Sequence, residues 1–225
     1  MNEKMMLRLP EGSGQAMLLT AVGGSMDAYS YAVRGGVFAT GQTGNLVLAG
    51  LGLVGGEQSL FWRALVPITA FVCGAVLAQY LKHSVFDHHR HWRLGVLLLE
   101  IILLAVVSLI PITGPPIWAN SLLSLSAALQ FCCFKTLGSG SGYATVFCTG
   151  NLRSAVEQLY LGFMKHDREA GRLGLTYALI ILSFVFGAAL TYFCVDKLGA
   201  KAILPAVCLL VVAIVQICVG TKEKI

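Results

Sequence analysis

Charge is scarce in this chain. Only 12% of its 225 residues are Asp, Glu, Lys or Arg, against 56% that are hydrophobic. Soluble domains carry about 25% charged residues, so an ordinary water-soluble domain is excluded. Prolines number 6 and aromatics reach 9%, which leaves long apolar runs with few breaks. None of the 7 cysteines stands in C-x-x-C spacing, so neither a zinc site nor a disulfide scaffold is indicated. No nucleophile–base pair recurs at usable spacing, and the chain is expected not to be an enzyme. No clear small-residue cleavage site follows Lys4 and Arg8, so the first apolar run is expected to be retained as a span.

What the chain does have is a series of apolar runs, each long enough to cross a bilayer, which takes about 17–25 residues. The expected class is an all-α integral membrane protein with the lipid bilayer as its surroundings. The net charge of +5 then belongs to cytoplasmic loops rather than to nucleic-acid binding.

The runs are organised by a repeat. Thr43-Gly44-Asn45-Leu46 returns as Thr149-Gly150-Asn151-Leu152, each copy preceded by a glycine-broken stretch, Arg34 to Gly36 and Leu137 to Gly142. A second echo follows in the same order, Phe71 to Leu77 returning as Phe184 to Leu190. Two echoes in one order mean a duplicated unit, with the seam near Pro111 to Pro116. The reading is one membrane domain over 1–225, with repeat one at 16–110 and repeat two at 117–220.

Spans are expected near Ala16–Val33, Leu60–Leu81, Leu94–Ile110, Ile117–Phe134, Leu173–Val195 and Ala202–Val219. The segments after each Thr-Gly-Asn are shorter. About a dozen residues at ~1.5 Å each give some 18 Å, too little for a ~30 Å hydrocarbon core. They are expected to be re-entrant half-helices, which leaves three spans per repeat and turns the second repeat upside down. With both termini cytoplasmic, Lys4, Arg8, Lys82, Arg90, Arg93, Lys165, Arg168, Arg172, Lys222 and Lys224 collect inside, Lys135 and Arg153 lie near the inner mouth, and Arg34, Arg63, Lys197 and Lys201 lie outside. That distribution obeys the positive-inside rule.

Thr43 and Thr149 are placed to cap the half-helices, Gly44 and Gly150 to permit close approach, and Asn45 and Asn151 to offer an amide. Paired interrupted segments of this kind point to the substrate site in inverted-repeat transporters. Asp27 stands inside the first span, where a charge costs at least about 2.5–3.5 kcal/mol. Gln130 holds a comparable place in the second unit, and Glu100 is a weaker candidate. All of these could instead serve helix packing.

Other signals are set aside. Gly50-x-Gly52-x-x-Gly55 lacks the strand and βαβ unit of a dinucleotide site. His83, Asp87, His88, His89 and His91 fit no standard metal spacing. Cys132-Cys133 reads as core, and Arg153 with Glu157 as an i,i+4 pair. Neither a cofactor nor a metal is expected, and no pattern fixes an oligomeric state.

Arg34 to Phe38 leading to Thr43-Gly44-Asn45, with Asp27 upstream, resembles the YoaK-like bacterial membrane proteins, domain-of-unknown-function family 1275. The likeness continues through Leu129-Gln130, Ala144-Thr145 and Thr149 to Arg153, and covers nearly the whole chain. Phe131 departs from the polar residue expected after Gln130. The resemblance implies an inner-membrane location and about six spans, and no activity.

The function expected from the residues is transport of a small solute, or a channel, with a pseudo-twofold axis in the membrane plane. Asp27, Thr43, Gly44, Asn45, Gln130, Thr149, Gly150 and Asn151 would form its centre. Half-helix N–H groups favour an anion or a carbonyl-rich solute, whereas an ionised Asp27 disfavours an anion, so the sign stays open. The alternative is a structural or partner-binding membrane protein.

Overall fold

The computed structural model describes residues 12–85 and 92–222. Helices α1 (Ser13–Val33), α2 (Gln42–Gly55), α3 (Gln58–Tyr80) and α4 (Trp92–Leu109) form the first half. Helices α5 (Pro116–Cys133), α6 (Thr149–Met164), α7 (Arg168–Leu198) and α8 (Leu204–Lys222) form the second. A π-helical turn, Leu81–Val85, extends α3, and a 3₁₀ turn, Gly199–Ile203, joins α7 to α8. Among the described residues there is no strand, only an isolated bridge between Thr136 and Gly142.

Local chemistry sets the ends. Pro116 at the first turn of α5 has no N–H to leave unpaired. Gly56 closes α2 in the left-handed region at φ 72°. Asp167 caps α7, its Oδ1 accepting from Glu169 N and Ala170 N at 3.0 and 3.1 Å. That cap starts α7 at Arg168, so Arg168 and Arg172 stand in its first turns, ahead of the span expected from Leu173. The other expected boundaries fall within a few residues of the observed ones.

Among the described residues, three stretches are long and apolar enough to cross a membrane, Gln58–His83, Trp92–Leu109 and Arg168–Val219. The last, at 52 residues, would be about 78 Å long as one rod, and the turn at Gly199, φ 52°, divides it. Helices α1 and α5 are not among them because they sit inside. Helix α1 packs on α7, α8 and α5, and α5 on α3, α4 and α1. Their sequences are accordingly rich in Gly, Ala, Ser and Thr rather than in bulky lipid-facing residues.

Three helix pairings recur when the two halves are exchanged. Helix α1 on α7 matches α5 on α3, α1 on α8 matches α5 on α4, and α2 on α3 matches α6 on α7. The second sequence echo explains the closest crossings. A Cβ at Gly187 would run into the Ala21 carbonyl of α1, and one at Gly24 into the Phe184 carbonyl of α7. Its counterpart Gly74 lies against α5, where a Cβ would meet Leu125 O at 2.7 Å. Each echo glycine therefore seats the first helix of the other half. The main core, including Leu19, Val22, Met26, Leu97, Leu104, Leu123, Leu129 and Leu210, lies among α1, α4, α5 and α8.

Both short helices turn apolar faces outward, Leu46, Val47, Leu51 and Val54 on α2 and Val156, Phe163 and Met164 on α6. Within α2, Gly52 packs on Phe61 N of α3.

Candidate functional site

The site is built where two non-helical segments enter the bundle. The first, 34–41, follows α1. It begins with Gly35 and Gly36 at φ 92° and 75°, which a side chain would strain. Ser30 Oγ accepts from Ala39 N at 3.0 Å, and Ser124 Oγ of α5 donates to Ala39 O at 2.7 Å. Asp27 makes the central attachment. Its Oδ1 accepts from Thr40 N at 2.9 Å and its Oδ2 from Thr40 Oγ1 at 2.7 Å.

The second segment, 134–148, follows α5. It folds back through Leu137 N to Ser141 O at 2.9 Å and Tyr143 N to Lys135 O at 3.1 Å. Tyr177 Oη of α7 donates to Gly142 O at 2.5 Å. Gly23 of α1 lets this segment approach, for a Cβ there would strike the Thr145 carbonyl.

The two segments touch. Thr40 Oγ1 also reaches Val146 O at 3.1 Å, and Thr40, Thr145 and Val146 are all buried. Asp27, Thr40 and Val146 thus form one chain of contacts from α1 through both broken segments.

The repeated asparagines act alike. Asn45 Nδ2 donates to Phe38 O at 2.9 Å, and Asn151 Nδ2 to Ala144 O at 2.7 Å, in each case seven residues back. Asn151 Oδ1 also accepts from Ala144 N at 3.0 Å, while Asn45 Oδ1 is buried without a partner. Each asparagine pins its own broken segment to the start of its short helix. This is the physical content of the repeated motif.

The threonines differ from expectation. Neither Thr43 nor Thr149 caps a helix: the cap positions are Gly41 and Cys148, without side-chain cap bonds. Each short helix starts at or before its threonine, which places the threonine inside the first turn. Both threonines, with Gly44 and Gly150, are exposed, and a Cβ at either glycine would meet nothing within 4 Å. No protein backbone makes the close approach expected there.

Gln130 is fully buried, and its Nε2 donates to Leu19 O of α1 at 2.9 Å, tying the two central helices together. Arg34, expected on the outer side of the membrane, is also buried. It donates to Tyr29 Oη, Val107 O, Ile110 O and Pro111 O, so its charge sits on the carbonyl end of α4. Asn120 Nδ2 holds the Arg34 carbonyl at 2.9 Å. Sequence reasoning missed Thr40, Ser124 and Asn120. Ordinary polar residues give no signal until the fold brings their partners near.

A cavity of about 460 Å³ opens beside the second motif, lined among others by Gln79, Lys135, Tyr143, Gly150, Asn151 and Ser154. Lys135 is the charged residue in its lining. At α2, Gly44 N and Asn45 N turn back onto Gly41 O. At α6 the first such bond is Leu152 N to Cys148 O, which leaves the N–H groups of Gly150 and Asn151 beside the cavity. Helix starts of this kind attract negative charge.

Other expectations are placed as follows. Arg153 Nε donates to Glu157 Oε1 at 2.7 Å on the exposed face of α6, the expected pair. Cys133 is buried and Cys132 half-buried, both free thiols. Asp87, His88, His89 and His91 lie outside the described residues.

Long apolar helices around a polar, buried centre define a multi-helix membrane protein. The profile described as "Protein of unknown function (DUF1275)" matches residues 15–216, and the chain belongs to that family. It is 29% identical over 179 residues to the UPF0700 transmembrane protein YoaK of Bacillus subtilis (strain 168), covering 76% of this chain and 78% of that one. No solved structure matches.

Proposed function

We propose that this protein is a small-solute transporter or channel of the bacterial inner membrane. It is built as two inverted three-span repeats, each with a re-entrant half-helix, and both termini are cytoplasmic. The carrying observation is the buried junction of the two broken segments, Asp27 to Thr40 to Val146. Non-helical backbone at membrane depth is tolerated where it is buried in protein or lines a wet cavity, and Val146 belongs to the same broken segment as Gly142, Tyr143 and Ala144, which line the cavity. The exchange of contacts between halves supports the repeat architecture that places transporter sites at a repeat interface.

In this reading Gly150 and Asn151 present the solute site, together with Lys135 and Ser154. Thr43, Gly44, Asn45 and Thr149 frame the two half-helix starts. Asp27 and Gln130 hold the helices and segments that shape the centre. A lysine and free N–H groups support a solute bearing acceptor oxygens.

The test is a flux screen in liposomes with wild-type protein and Asp27→Asn, using small anionic, neutral and cationic solutes. Flux of a solute class that Asp27→Asn alters is the expected result. Correctly inserted protein that moves no solute would favour the structural, partner-binding role.

A further inference from the structure

Glu100 stands in the middle of α4, eight residues after Trp92 in a helix of 18. It is fully buried, and neither Oε1 nor Oε2 has a hydrogen-bond partner. On the same face of α4 its neighbours are Val96, Leu97, Leu104 and Val107, all with zero exposure. Buried carboxylates without a partner are among the most costly arrangements a protein can hold, and more so inside a membrane domain.

Arg34 sits at the far carbonyl end of α4, on Val107 O and Ile110 O, and no cation from the elements packed on α4 bonds to Glu100. Helix α5 contributes Cys133, close enough for the two groups to interact electrostatically. From Leu204 to Val219, α8 contains no Asp, Glu, Lys, Arg or His. The 3₁₀ turn carries Lys201, which is exposed. On α4 itself the Arg93 guanidinium lies over the Trp92 and Phe134 rings at 5.5 and 5.7 Å, and it makes no hydrogen bond to Glu100.

We propose that Glu100 is a proton-binding site within the membrane domain. In the packed state its carboxyl is neutral, because ionisation there would leave a bare charge among aliphatic side chains. The proton leaves when α4 and α5 part enough for water to reach the carboxylate, and it returns when they close. Proton occupancy is thereby tied to the separation of the two helices. On the transporter reading this makes a proton the coupling ion, but the occupancy itself does not depend on any solute being moved.

The experiment is infrared spectroscopy of the full chain in lipid at neutral pH, following the C=O stretch of a protonated carboxyl. Wild type should show the band and Glu100→Gln should lack it, with Asp27→Asn leaving it in place. Absence of the band in wild type overturns the proposal, as does a band that persists in Glu100→Gln. Should Glu100→Gln fail to fold, Glu100→Asp decides: a shifted frequency supports the assignment and an unshifted band overturns it. Loss of all solute flux with the band intact would count against transport alone.

Discussion

Substitutions at Asp27 should separate a role in holding the fold from one in function. Its two oxygens accept the two donors of Thr40, and the same Thr40 hydroxyl reaches Val146 O. In Asp27→Asn the amide oxygen can still accept from Thr40 N. The new N–H group can donate to Thr40 Oγ1, leaving that hydroxyl free to donate to Val146 O. The geometry survives and only the charge assistance is lost. Hydrogen bonds to charged groups contribute about 1.5–3 kcal/mol and neutral ones about 0.5–1.5, so two weakened bonds correspond to a loss of roughly 2 kcal/mol. Relief of the partly buried charge offsets part of it, so the expected loss is about 1 kcal/mol. Asp27→Ala instead leaves Thr40 N–H buried without an acceptor and removes the tie between α1 and both segments. Each such orphaned group costs about 1–3 kcal/mol, so a loss of roughly 2–4 kcal/mol is expected. Thermal and denaturant unfolding in detergent, with tryptophan fluorescence as the probe, would rank the variants. An Asp27→Ala protein as stable as wild type would refute the proposed clamp.

Gly187→Ala should destabilise by about 1–3 kcal/mol or more through overpacking against Ala21. Gly50→Ala, with open space around it, should be neutral or gain up to about 1 kcal/mol; equal effects in a melting assay would contradict the close α1–α7 crossing. Asn151→Ala should destabilise more than Asn45→Ala, because Asn151 engages both the N–H and the carbonyl of Ala144. Unfolding midpoints of the two variants would check the order, and proteolysis of the 134–148 segment should rise only in Asn151→Ala. Cysteine labelling on a cysteine-free background should reach the segment 82–93 from the cytoplasmic side, and labelling from outside would sink the inverted topology.

The amino-acid order determined the membrane class and the helix positions, because each is a one-dimensional property. Scarcity of charge excludes the soluble class, and the length of apolar runs sets helix positions. The repeated Asn45 and Asn151 were legible as a pair, yet their task was not, since a side chain that pins a carbonyl seven residues back looks the same on paper as one that faces a solute. Only tertiary structure decided that Thr43 and Thr149 cap nothing, that Arg34 is buried on the end of α4, and that Gly187 seats α1. The same holds for Asp27, whose partner Thr40 is 13 residues away and itself reaches Val146, 106 residues further on. Hydrogen-bond partners so far apart are chosen by helix packing. No local pattern encodes them, because the same serine, threonine or aspartate has many acceptors and donors within reach until the helices close around it.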